Sequence, residues 1–189
     1  MKKEEIKSIL EKAKTEQLIC NITFKYDANY RNSIPLICGE KLFLCAEEND
    51  FILNGYSIRR YKDIKKLKAK NDKCGEILRK EGIVITMPEI DIESWYSVFQ
   101  SLKKRNKNII VEKETLNDND SEFVIGRINE IHKNFAYVYH FDADGIWGDE
   151  PIKVPFSEIT SVTFGSRYVD IFSKYVNEPN SDGSGGLEK

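Results

Sequence analysis

Histidine is nearly missing from this 189-residue chain, which contains only His132 and His140. The first lies in a turn-forming stretch and the second ends a strand-like run. Neither has a nucleophile motif beside it, so the sequence offers no acid–base or nucleophilic constellation, and no enzyme is expected. Cysteine is sparse as well: Cys20, Cys38, Cys45 and Cys74 include no Cys-x-x-Cys pair. Their spacing does not support a zinc site, and their density is below that of a small secreted disulfide scaffold. Aliphatic neighbours suit reduced thiols packed as small hydrophobes. No run approaches the ~18 consecutive apolar residues of a membrane span. The opening Met1-Lys-Lys-Glu-Glu-Ile-Lys7 lacks an apolar signal core, so a cytoplasmic location is expected. Gly75, Gly82, Gly145 and Gly148 fall in no phosphate-cradling pattern. Neither a cofactor nor a metal is expected.

What is present is the composition of a soluble protein, 40% hydrophobic and 32% charged. A globule of this size buries roughly 70% of the surface its unfolded chain exposes. The net charge of −2 argues against bulk attraction to nucleic acid or anionic membrane, but it hides an asymmetry. Residues 1–83 hold 18 Lys or Arg against 13 Asp or Glu, and the rest of the chain 11 against 18. The two halves therefore present different faces.

Those halves share a pattern. Tyr61-Lys-Asp-Ile-Lys-Lys-Leu67 and Phe156-Ser-Glu-Ile-Thr-Ser-Val162 both place an aromatic three residues before an isoleucine, an acid just before it and an aliphatic three residues after. The context extends the match. Residues 4–15 carry Ile6, Ile9, Leu10 and Ala13 at helical spacing, and 92–105 carry Ile92, Trp95, Tyr96, Phe99 and Leu102. Strand-like runs follow the first helix at 18–26, 34–38, 41–46, 56–60 and 65–70, and the second at 109–115, 123–131, 135–141, 152–154 and 161–164. Turn chemistry separates them, and a short helix closes each half, at 74–80 and 168–175. A repeat of this kind dictates architecture before any motif is considered.

Helix, then five short strands with the last two flanking a tight turn, is the order of a small, strongly bent barrel. Phe123-x-x-Gly-x-Ile-x-x-Ile131, Asp142-x-x-Gly-x-Trp147 and Ser157-Glu-Ile-Thr-Ser-Val162 resemble a group of poorly characterised bacterial proteins with Sm-like barrels. Gly55-Tyr-Ser-Ile-Arg-Arg-Tyr-Lys-Asp-Ile64 resembles another version of that pattern. The resemblance covers most of residues 18–80 and 108–175 and implies a fold rather than an activity. The expected fold is α+β, mainly β: two tandem helix-plus-five-stranded Sm-like (SH3-like) barrel units at 1–82 and 83–176, with a flexible tail at 177–189. Sm proteins bind single-stranded RNA around a ring through an Asp-x-x-Met-Asn type loop and an Arg-Gly near the fourth strand. Neither half here reproduces both. Arg59-Arg60 lies in roughly that region of the first unit, but Val154-Pro155 replaces it in the second. Proline cannot donate to a ladder, so a ring oligomer is not expected.

The function class indicated is a non-catalytic binding protein in a bacterial cytoplasm, with another protein as its partner: an adaptor, regulator or immunity-type neutralising factor. The alternative is RNA or single-stranded DNA held on the basic run through Arg59, Lys62, Lys65, Lys66, Lys68, Lys70 and Lys73, with Tyr56 and Tyr61 available to stack. Lysines on such a strand also discourage edge-to-edge pairing. Asp142-Ala-Asp-Gly-Ile-Trp-Gly-Asp-Glu150 gathers four carboxylates but fails the spacing of a calcium loop. Its Trp147 either anchors a partner or folds back as a lid. The candidate partner-binding residues are Arg59, Arg60, Lys65, Lys66 and Trp147.

Overall fold

The structure, a computed structural model, describes residues 1–176; the tail from 177, expected to be flexible, lies outside the described residues. Helix α1 spans Lys3–Glu16 and buries Ile6, Leu10 and Ala13, the face marked by the helical spacing of apolar residues. Gln17, in the left-handed region at φ 51°, ends it. Five strands follow: β1 Ile19–Phe24, β2 Arg31–Cys38, β3 Leu42–Asn49, β4 Ile52–Arg60 and β5 Ile64–Lys70. Helix α2, Lys73–Lys80, starts at Asp72, whose side chain accepts from the Gly75 N–H. The second half repeats the order with α3 Trp95–Lys104, β6 Ile109–Lys113, β7 Glu122–Ile131, β8 Phe135–His140, β9 Ile152–Pro155, β10 Ser161–Phe164 and the short α4 Arg167–Phe172. Ser94 and Ser166 cap α3 and α4 by accepting from the backbone three residues on.

The ten strands form one antiparallel sheet in the order β5-β1-β2-β3-β4-β10-β6-β7-β8-β9. Each half thus contributes its fifth strand, then its first to fourth. The sheet is not closed: among the described residues no ladder joins β4 to β5 or β9 to β10. Where two separate barrels were expected, the outer edge of β4 pairs with β10 and makes the halves continuous.

That joint has four residue pairs, Arg59 with Ser161, Ile58 with Val162, Ser57 with Thr163 and Tyr56 with Phe164. On one face a single row of cross-strand neighbours runs Ile37, Leu44, Ile58, Val162, Val111, Val124 from β2 to β7. All but Ile37 are buried, and they belong to one core that also takes Leu78 of α2 and Val98, Phe99 and Leu102 of α3. Full burial of each such side chain contributes roughly 1.5–3 kcal/mol. The connection between the halves is part of this core, since Ile90 and Ile92 are 7% and 4% exposed. The opposite face carries two smaller cores, one under α1 around Phe24, Phe43 and Tyr61, the other under α4 around Ile110, Phe141 and Val169.

The two matching stretches take corresponding places in the ladders. Leu67 pairs with Ile22 at the middle of β1, and Val162 pairs with Val111 at the middle of β6. The Tyr61 N–H donates to the Lys41 carbonyl at 3.4 Å, and the Phe156 N–H to the Asn134 carbonyl at 2.9 Å, so the paired aromatics close equivalent turns.

Gly55 in β4 has φ +79°, and a Cβ there would stand 2.5 Å from the Ser166 nitrogen beyond β10. Both the left-handed backbone and the close approach require glycine. Gly55→Ala is expected to cost about 2–4 kcal/mol through strain at the joint, read as a lower urea midpoint. The thiols give a second expectation. Burial pushes Cys20 up to about 12 and raises Cys38 and, further, the fully buried Cys45, whereas Cys74 is exposed. A thiolate is the reactive form. At pH 8, titration with a disulfide reagent should therefore find Cys74 fast, the partly exposed Cys38 slow, and Cys20 and Cys45 reacting only on unfolding. Because the unfolded chain loses those protons near pH 8.5 and the folded chain keeps them, stability should fall as pH rises from about 8.5 towards 12.

Candidate functional site

Four turns and two helix starts converge on one cleft of about 800 Å³. Lys41 and Leu42 come from the β2–β3 turn, and Arg60, Tyr61 and Lys62 from the turn after β4. Lys133 and Asn134 come from the β7–β8 turn, Phe156 and Ser157 from the turn after β9. Lys3 of α1 and Glu93 to Tyr96 at the start of α3 complete it. The cleft exists because the joint sets matching turns of both halves side by side. Its volume falls in the range of roughly 300–1,000 Å³ typical of ligand sites.

The walls are held from behind. Tyr61 is buried, packs tilted against Phe43 at 5.1 Å and donates its hydroxyl to the Gly39 carbonyl at 3.2 Å. Burial raises its pKa above the ordinary tyrosine value. Phe156 packs on Phe99 of α3 at 5.2 Å, and Trp95 is buried at the base of the same helix. Tyr96 stands out beside it, 38% exposed. Arg60 is fixed by an ion pair with Asp63 and by a 3.4 Å donation to the Ser157 carbonyl, so it links the two halves across the cleft.

Five cations line this cleft against one carboxylate, Glu93. Lys3 is paired with Glu40 at 2.6 Å, and Lys7 holds the same carboxylate at 3.3 Å. Those two lysines lower the Glu40 pKa, through hydrogen bonds first and charge second. Lys41, Lys62 and Lys133 are exposed and make no ion pair among the described residues. The cleft therefore presents uncompensated positive charge above an aromatic floor.

A second hollow, about 410 Å³, lies over the joint between the two smaller cores and is lined by Glu47, Glu48 and Glu112 with Arg31, Ser57 and Thr163. Here the polar groups satisfy one another. Glu47 accepts from Ser33 at 3.0 Å and from Ser57, Glu48 accepts from Asn32 and the Phe51 N–H, and Arg31 pairs with Asp27 at 2.9 Å. It fits a structural network better than a receptor.

The candidate residues named from the sequence scatter over the fold. Arg59 is 2% exposed, with its guanidinium 2.9 Å from Glu114, 3.6 Å from Glu112 and 4.3 Å above the Phe24 ring. It holds the joint together and presents nothing to a partner. Arg60 lines the cleft, and is the one candidate to do so. Lys65 and Lys66 are exposed on β5, one of the two edge strands of the sheet. Trp147 is half-buried against Phe141, edge to face at 5.1 Å, as a lid would be. Lys41, Lys133, Tyr96 and Phe156 were not identified as site residues. The signal for Phe156 was present, as the aromatic of the repeat signature, but its role in a cleft depends on how the halves meet.

No protein-family model matches the chain, and no curated protein or solved structure matches it. Among the described residues no group of His, Cys, Asp and Glu is arranged to hold a metal ion, and no helix is long and apolar enough to cross a membrane.

Arg59→Met should cost about 3 kcal/mol, because it removes the buried cation between Glu112 and Glu114 and leaves only Arg31, 3.8 Å from Glu114, to offset them. Adding Glu112→Gln and Glu114→Gln should recover much of the loss, measured by chemical denaturation of the single and triple variants.

Proposed function

We propose that this is a non-catalytic binding protein of two Sm-like units, acting in the cytoplasm as an adaptor, regulator or neutralising factor for another protein. The observation that carries this reading is the cleft at the junction of the halves, where equivalent turns from each half supply the walls. Repeating a scaffold and using the seam between copies gives a surface that neither copy has alone. Aromatic side chains on a fixed base, bordered by polar groups, are the usual anchors of a protein interface. The repeated strand order and the equivalent turns at Tyr61 and Phe156 support the Sm-like assignment. Lysines on β5 and Pro155 on β9 blunt both free edges of the sheet, which supports a chain that does not build a ring.

Nucleic acid is the second reading, favoured by the exposed lysines of the β5 edge. Purification of the tagged protein from its native host separates the two. A stoichiometric protein partner should be lost with Ser157→Trp, which fills the cleft, and kept with Lys65→Glu plus Lys66→Glu. Nuclease-sensitive material lost with the lysine pair, and no protein partner, would favour the second reading. A monomer with nothing specifically bound would count against both.

A further inference from the structure

We infer that the cleft takes an acidic peptide segment carrying an apolar anchor. The inference rests on the reading of the cleft as the binding face and adds the chemistry of its ligand. Charge is the first argument. Lys3 and Arg60 are neutralised by Glu40 and Asp63, so the positive charge available to a ligand belongs to Lys41, Lys62 and Lys133, set against the single lining carboxylate of Glu93. They come from three different turns, two in the first half and one in the second. A ligand that satisfies all of them must carry several separated negative charges along an extended chain, as a run of Asp and Glu does.

The floor is the second argument. Leu42, Trp95, Tyr96 and Phe156 form an apolar surface between the lysines, suited to an aliphatic or aromatic side chain inserted between the acids. The same floor disfavours a nucleic acid strand, which is held on successive stacking platforms. Trp95 and Tyr61 are 8% and 2% exposed, and Phe156 packs on Phe99. Tyr96 is the most exposed of these rings.

Recognition then combines one buried side-chain anchor with rim carboxylates paired to lysine ammonium groups. Rim charges of this kind govern encounter rate and salt dependence more than the lifetime of the complex. Affinity should therefore fall as the ionic strength shortens the Debye length below ~10 Å.

The test uses the full chain and three fluorescein-labelled probes in anisotropy titrations. One is a short peptide of Asp and Glu around a central Leu-Phe pair, one the same peptide with each acid replaced by its amide, and one a short oligouridine. The acidic peptide should bind, and Lys41→Glu plus Lys62→Glu plus Lys133→Glu should weaken it about tenfold or more. Lys65→Glu plus Lys66→Glu should leave it unchanged, and circular dichroism checks that every variant folds. Equal binding of the amide peptide overturns the acidic class but keeps the cleft as a peptide site. Oligouridine bound in place of the peptide, and lost with the same triple variant, overturns the peptide and keeps the cleft. Acidic-peptide binding that survives Ser157→Trp overturns the cleft itself. No binding by any probe overturns this inference, and the host purification then decides the wider reading on its own.

Discussion

Four residue pairs between β4 and β10 hold the architecture of this protein together. Without that ladder the chain would be two five-stranded pieces, each with an open fourth-strand edge and an open fifth-strand edge. With it, one pair of edges is satisfied internally, and an apolar row runs unbroken from Ile37 to Val124. The largest core belongs to neither half, since it is filled by Leu44 and Ile58 from one side and by Val111, Val162 and Phe99 from the other. Backbone pairing and apolar burial thus act on the same residues at the same place.

The opposite face of the joint is polar, and this explains Arg59. Two smaller cores, under α1 and under α4, flank a strip where Arg59, Ser161 and Glu112 are cross-strand neighbours. A buried guanidinium is tolerated there because carboxylates of β6 and the segment after it meet it from the second half, while Phe24 covers it from the first. Replacing such a network by apolar residues would often be neutral, whereas removing one partner is not. An arginine that looks like a ligand-binding residue in the sequence is, in the fold, a tie between halves.

Element by element, much of the fold was legible in the amino-acid pattern. The helices at Lys3–Glu16 and Trp95–Lys104 follow from apolar spacing, and the ten strands from alternation bounded by turn residues. Boundaries moved by a few residues, most at β4, which begins at Ile52 because the Asp50-Phe51 turn, with both residues at positive φ, folds back tightly. The site was much less legible. Of the five residues named, Arg60 reaches the cleft, since Arg59-Arg60 stands out in the sequence only by its difference from Val154-Pro155. The cleft arises instead where the copies correspond, at the turns closed by Tyr61 and Phe156.

The sequence by itself determined that the chain is mixed α+β and mainly strands, and that its helices are amphipathic, because periodicity and composition act locally along the chain. Only the tertiary structure decided that the two halves share one open sheet, that Arg59 is buried while Lys41, Lys62 and Lys133 face solvent around a common cleft, and that Trp147 packs on Phe141. The reason is physical: which edge a strand pairs with depends on every other edge in the molecule, and a side chain becomes core or surface only once that pairing is made.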